Sequence, residues 1–147
     1  MSMNQQSIEI RIIRETSALD MIALYKDAGW WEAGDDILEE HTQFVEKIPR
    51  CSFVFAGAFD GSTMIGMGRA LSDGISDAYI QDVTVLKKYR GKGIGKMIIR
   101  ALTDELQKRG LAWIALVAEP GTTPFYESLG FKPMENYVPM KFQQEKK

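Results

Sequence analysis

The chain predicts an α/β fold built on one mixed, mostly antiparallel sheet with helices on both faces. Three observations carry it. The elements run strand, two helices, three strands, helix, strand, helix, strand. Turns at Asp60-Gly61 and Asp73-Gly74 join consecutive strands, which makes those strands antiparallel neighbours. Ala78 to Leu86, an amphipathic helix and Leu111 to Ala118 form a strand–helix–strand unit, so that pair of strands is parallel.

Each element has its own signal. Ile8 to Ile12 alternates apolar and polar residues with period two, as a half-buried strand does. Thr16 or Ser17 can cap the next helix, apolar at Leu19, Ile22 and Ala23 with Met21 or Leu24, and Gly29 ends it. Trp30 to Gly34 is a loop with two large aromatics. Asp35 or Asp36 can cap a second helix, apolar at Ile37, Phe44, Val45 and Ile48, which Pro49 stops. Ser52 to Phe59 and Thr63 to Leu71 are the arms of a hairpin. Gly66 and Gly68 in the second arm imply a bulge or a close backbone approach.

From Ile94, apolar residues recur at Met97, Ile98, Ala101, Leu102 and Leu106, with Lys96, Arg100, Thr103, Asp104 and Lys108 opposite. Gly110 closes that helix. Leu111 to Ala118 is apolar at nearly every position, the pattern of a buried strand. Phe125 to Leu129 is a short helix before Gly130, Tyr137 to Phe142 a last strand, and Gln143 to Lys147 a fraying tail.

At 147 residues the chain reads as one domain spanning 1–147, long enough to bury a core without staples. Its net charge of −2 argues against a general attraction to nucleic acid, although Lys87, Lys88, Arg90, Lys92, Lys96 and Arg100 form a local basic cluster. Cys51 is the one cysteine, so no intrachain disulfide forms and a reducing compartment is expected. Met1 to Gln6 lacks the apolar core of a signal peptide, and no apolar run approaches the about 18 residues of a membrane span. The expected setting is the cytoplasm, without membrane partners. One histidine, His41, and one cysteine do not support a metal site.

The chemistry concentrates in Tyr89-Arg90-Gly91-Lys92-Gly93-Ile94-Gly95-Lys96, between a strand and the amphipathic helix. Free N–H groups at the positive end of a helix dipole bind phosphate. Two nucleotide motifs fail there. A Walker A loop needs Gly where Arg90 stands and Ser or Thr where Met97 stands. The dinucleotide fingerprint that begins at Gly91 and Gly93 needs Gly where Lys96 stands. A hinge with no ligand is the remaining structural alternative.

Arg90-Gly91-Lys92-Gly93-Ile94-Gly95 resembles the pyrophosphate loop of the GNAT (GCN5-related N-acetyltransferase) superfamily, Gln/Arg-x-x-Gly-x-Gly/Ala. Tyr79-Ile80-Gln81-Asp82-Val83-Thr84-Val85 is similar to that family's fourth strand, and Phe125-Tyr126-Glu127-Ser128-Leu129-Gly130-Phe131 to its late Tyr-x-x-x-Gly-Phe segment. The resemblance covers Tyr79 to Phe131 and is only topological before that. It implies the acyl-CoA N-acyltransferase fold, with the fourth strand splayed from the parallel fifth, and acetyl-CoA as co-substrate. Val83, Thr84 and Val85 would then offer backbone partners to the pantetheine arm. The N–H groups of Arg90, Gly91, Lys92, Gly93, Ile94 and Gly95 would hold the pyrophosphate, with Lys96 starting the helix just beyond. A Cβ on these glycines would push the diphosphate away.

Catalysis in that family is direct attack of an amine on the thioester. The resemblance gives Tyr126 the role of acid to the departing thiolate, a role open to a phenol of reference pKa about 10. The base is less well marked. Polyamine acetyltransferases resemble this segment with acids at both Gln81 and Asp82, and only Asp82 is present here. Strict alternation puts Asp82 on the face away from Tyr79, Gln81 and Val83 unless a bulge intervenes. Deprotonation through water is expected, with Asp82 or Glu119 as the carboxylate; Glu119 stands where the family commonly has Asn.

The family's acceptor pocket is bordered by its first two helices and their loop. Trp30, Trp31 and Glu32 fall there, and with Asp35 and Asp36 could make a wall for a cation. Core packing by one tryptophan, and a packing role for His41, are the plainer readings. Gln81 and Glu119 complete the expected acceptor contacts, and Gly66 and Gly68 could make room for an acyl group larger than acetyl. The leading expectation is an N-acetyltransferase acting on a small-molecule primary amine. A peptide or protein amine is the competing acceptor, and a CoA-binding sensor without turnover is the competing class. Dimers are frequent in the family, so a homodimer is one open state, although no residue in the sequence marks an interface.

Overall fold

The computed structural model describes residues 7–32 and 39–145, in two compact units, Met1–Leu116 and Val117–Lys147. The first unit contains β1 (Glu9–Ile12), α1 (Ala18–Asp27), α2 (Glu39–Cys51), β2 (Val54–Asp60), β3 (Thr63–Leu71), β4 (Asp77–Val85), α3 (Ile94–Lys108) and β5 (Trp113–Leu116). Among the described residues the strands form one sheet in the order β1-β2-β3-β4-β5. Its first three pairings are antiparallel and β4–β5 is parallel; the turn signals predict β2–β3 and β3–β4, the strand–helix–strand unit predicts β4–β5, and the β1–β2 pairing is seen only in the structure.

The two faces of the sheet differ in side-chain size, and that difference seats the helices. On the middle strands Ala56 lies opposite Gly68 and Ala58 opposite Gly66. This smooth floor brings α3 close: a Cβ on Gly68 would stand 2.8 Å from Ile98 Cγ2 and 3.1 Å from Leu102 Cδ1. Gly66 and Gly68 therefore make room for a helix, not for an acyl chain. Phe55, Phe59 and Met67 form a cluster with Met21, Leu24 and Tyr25 of α1 and Val45 and Ile48 of α2. Burying these apolar groups is the main stabilisation of the unit.

Several boundaries differ from the sequence reading. Ser17 caps α1, its Oγ accepting from Asp20 N, and the buried side carries Met21, Ile22, Leu24 and Tyr25. Leu19 and Ala23 are exposed, because residues four apart share the side of the helix turned away from the cluster. Pro49 lies inside α2, which runs to Cys51; in the last turn its missing N–H removes one hydrogen bond without breaking the helix. The caps expected at Asp35 or Asp36, and Ile37, lie outside the described residues. β5 is shorter than Leu111 to Ala118 and only half covered, with Trp113 exposed and Ala115 buried.

In the second unit α4 (Thr123–Glu127) opens with Pro124 in its first turn. The chain then turns at Gly130, with φ 95°. The strand expected at Tyr137 to Phe142 does not form. Pro139 removes a ladder donor from its centre, and Tyr137, Val138, Met140 and Phe142 are all exposed.

Candidate functional site

The glycine turn occupies the segment between β4 and α3. A short 3-10 turn, Lys87–Tyr89, leads into it. Gly91 and Gly93 both adopt φ 79°, and a Cβ on either would meet nothing within 4 Å. Glycine is thus required there by the backbone conformation and not by crowding. Gly93 is the N-cap of α3 and has no side chain to satisfy the first turn. Met97 N donates to Gly93 O at 3.2 Å, so the N–H groups of residues 94–96 precede the first bond of the helix ladder. Gly95 lies in that first turn. The result is an open row of donors at the positive end of a helix.

The turn is braced from three sides. Lys87 N donates to Asp27 Oδ2 at 3.0 Å, tying it to the end of α1. The Tyr89 hydroxyl donates to Asp60 Oδ2 at the end of β2, and that bond raises the Tyr89 pKa above its ordinary value. Arg90 Nε donates to Val85 O at 3.0 Å, so the side chain is turned back onto β4. The Lys88 and Lys92 ammonium groups stand 5.6 Å and 5.5 Å from the centre of the Tyr89 ring.

Beside β4 the first unit holds a cavity of about 460 Å³. Tyr25, Trp30 and Trp31 form one wall. The Tyr25 carbonyl accepts from both Trp30 N and Trp31 N, which sets the two indoles around the Tyr25 ring at 5.1 Å each, edge to face. From α2 come Phe44, Lys47, Ile48 and Cys51; from the sheet come Arg69, Gln81 and Asp82. Trp31 packs on the core cluster as well as lining the cavity, and His41 lies 5.0 Å from it, ring to ring. Glu32 is exposed and is not among the lining residues, while Asp35 and Asp36 lie outside the described residues.

A bulge in β4 brings Asp82 into this cavity. Thr84 lies opposite Met67, but Gln81 lies opposite Arg69, so β4 carries one residue more than β3 across that interval. Asp82 absorbs the extra length with φ 56°, a left-handed conformation that Asp tolerates better than most residues. The bulge also reverses the alternation beyond it. Gln81 and Asp82 both reach the cavity, whereas Val83 turns to the α3 face, its Cγ2 3.3 Å from a Cβ built on Gly68. The shared face of Gln81 and Val83 expected from strict alternation is therefore broken. The pairing with β5 ends at Ile80↔Leu116 while β4 runs on to Val85, so Val83, Thr84 and Val85 lie beyond the last paired residue.

Asp82 Oδ2 accepts from Arg69 Nε at 2.7 Å, and Arg69 Nη1 reaches Ser52 Oγ at 3.5 Å. Burial, then the Asp82 charge, pushes the Tyr25 phenol up to about 12, against a smaller opposing effect of Arg69. Tyr25 thus presents a neutral hydroxyl at any physiological pH. In the second unit Tyr126 is half-buried between Phe125 and Phe131, and its phenol is raised by burial and then by the charge of Glu119. Of the site residues read from the sequence, the structure gathers Trp30, Trp31, Gln81 and Asp82 in one cavity, and sets Tyr126 and Glu119 together in the second unit.

Tyr25, Phe44, Lys47, Ile48, Cys51 and Arg69 line the cavity but were not read from the sequence as site residues. Arg69 had a usable signal: a lone cation in the otherwise apolar run Met64 to Leu71 needs an anionic partner.

The chain is 42% identical over 69 residues to a histone acetyltransferase of Glycine max, covering 47% of this chain and 30% of the relative. It is 37% identical over 67 residues to a chloroplastic serotonin N-acetyltransferase of Oryza sativa subsp. japonica, covering 46% of this chain and 34% of the relative. The chain thus spans less than half the length of these curated relatives. Among solved structures, a GNAT family acetyltransferase of Streptococcus pneumoniae TIGR4 superposes with a TM-score of 0.76 at 24% identity, over 95% of this chain and all of the other, which establishes the fold. A family model described as acetyltransferase (GNAT) matches residues 12–131, which include the β4 bulge, the glycine turn and Tyr126, and the chain belongs to that family.

Proposed function

We propose that this chain transfers acetyl from acetyl-CoA to the primary amine of a small molecule, by direct attack of the amine on the thioester. One observation carries the reading. A single strand, β4, leads from an aromatic cavity containing a carboxylate to an open row of N–H donors capped by left-handed glycines. Arg90 N already donates to Lys87 O at 3.2 Å, so the donors that suit a diphosphate are those of residues 91–96. Val83, Thr84 and Val85, the last two paired with β3 but all three beyond the last β5 partner, suit an extended amide-bearing arm. The cavity suits an amine.

The chemistry follows from proton accounting. The amine must lose a proton before or during attack. Asp82 has one oxygen committed to Arg69 and the other available, so it takes the proton directly or through water. The N–C bond forms as the C–S bond breaks, and the departing thiolate takes a proton from Tyr126, the residue that matches the family's acid; the nitrogen then gives up its remaining extra proton to water, and solvent returns a proton to the Tyr126 phenolate. Trp30, Trp31 and Gln81 orient the acceptor. The same reading places the reaction in the cytoplasm, with neither nucleic acid nor membrane as partner, and admits a homodimer. Among the described residues there is no cluster of His, Cys, Asp or Glu that could hold a metal, and no helix is long and apolar enough to cross a membrane.

Thiol release from acetyl-CoA, measured across amines, amino acids, polyamines and peptides, tests the proposal. Turnover with a small primary amine is the expected result. Turnover with peptides alone assigns a peptide acceptor. Acetyl-CoA binding with no turnover on any acceptor assigns a sensor.

A further inference from the structure

We propose that the aromatic cavity selects amines that also carry a carboxylate, that is, amino acids with an apolar or aromatic side chain. This deepens the reading of the cavity as the acceptor site and rests on it. The charge balance of the wall favours such a ligand. Among the described lining residues, Lys47 and Arg69 are cations and Asp82 is the one carboxylate. Asp82 already has a cation partner, Arg69 Nε at 2.7 Å. An incoming ammonium group therefore finds a carboxylate whose charge is largely matched. An incoming carboxylate finds two sets of unused donors. Lys47 makes no ion pair among the described residues. The guanidinium of Arg69 spends Nε on Asp82, while its Nη1 has only a long bond of 3.5 Å to the neutral Ser52 hydroxyl.

Specificity follows from repulsion as much as from attraction. A monoamine or polyamine would bring net positive charge against described lining residues that are themselves net positive, with only the second oxygen of Asp82 and the aromatic rings to offset it. A zwitterion brings its carboxylate to Lys47 and Arg69, and its amine then points toward the uncommitted oxygen of Asp82. The apolar body lies against Trp30, Trp31 and Phe44. Planar, two-point recognition of a carboxylate is the task for which arginine is suited.

Matched pairs test this: L-phenylalanine against phenethylamine, and L-leucine against isoamylamine. Binding is read from tryptophan fluorescence, since Trp30 and Trp31 line the cavity, and turnover from thiol release with acetyl-CoA. Each amino acid should bind about tenfold or more tightly than its amine, the worth of one hydrogen bond to a charged group. Lys47→Gln, on an exposed helix position, should reduce that ratio to about threefold or less. Equal or reversed preference overturns the proposal, as does a ratio that Lys47→Gln leaves unchanged or a flat response to every amino acid. The fluorescence arm needs no turnover. Selective amino-acid binding without thiol release would sink the transferase reading and leave the carboxylate site standing. Thiol release with phenethylamine but not phenylalanine would do the reverse.

Discussion

Replacing Gly93 by valine separates the ligand site from the fold. Gly93 has φ 79°, and a Cβ there would touch nothing within 4 Å. The folding penalty is therefore conformational strain alone, about 1–2 kcal/mol for a left-handed residue. For a chain of this size that lowers Tm by roughly 2–8 °C. The ligand penalty is larger. If the new side chain keeps a diphosphate from two of the donors at the start of α3, each charge-assisted bond lost costs about 1.5–3 kcal/mol. CoA affinity should then fall about 10²–10⁴-fold. Gly110→Val is the control, since Gly110 has φ 86° and equally open space but follows the C-terminal end of α3. Calorimetric titration with CoA and thermal melts of both variants make the comparison. Similar melting losses with CoA affinity lost only in Gly93→Val are expected. Equal CoA affinity in the two variants would refute the assignment of the glycine turn.

Other outcomes follow from the same structure. Tyr25 has a pKa of about 12 in the folded chain, against about 10 when unfolded, so the native state keeps a proton that the unfolded chain gives up. Its contribution, at most roughly 2–3 kcal/mol, is fully present below about pH 10 and is lost as the pH rises through about 12. Urea midpoints measured between about pH 9 and pH 11 should fall less steeply in Tyr25→Phe than in the parent. Gly68→Ala places a Cβ 2.8 Å from Ile98, and should destabilise by about 1–3 kcal/mol in chemical denaturation. Tyr89→Phe removes the bond to Asp60, whose buried Oδ1 has no partner among the described residues; it should cost about 1–3 kcal/mol and weaken acetyl-CoA binding, which titration would show.

What the sequence made legible was local. The glycine turn, the amphipathic run of α3 and the Asp60-Gly61 hairpin are each written in residues that adjoin one another, and each appears where expected. The cavity was legible only in part. Trp30, Trp31, Gln81 and Asp82 could be named, but the bulge that turns Asp82 toward the aromatics depends on how β4 registers against β3, a pairing that no local pattern encodes. Arg69 reaches Asp82 through that pairing. The α1 face went wrong for a related reason: Leu19 and Ala23 are apolar, and only the packing of Met21, Leu24 and Tyr25 on the sheet decides which side is buried. The missing last strand shows the weight of one residue, Pro139, in an otherwise strand-like segment.

The most direct test of the account is the stoichiometry of the reaction, comparing the parent with Asp82→Asn. With acetyl-CoA and an accepted amine, the parent should release free CoA and N-acetylated amine in equal amounts. Asp82→Asn should bind acetyl-CoA normally and turn over about 10²–10⁴-fold more slowly. Full turnover in Asp82→Asn, or CoA release without an acetylated amine, would contradict it.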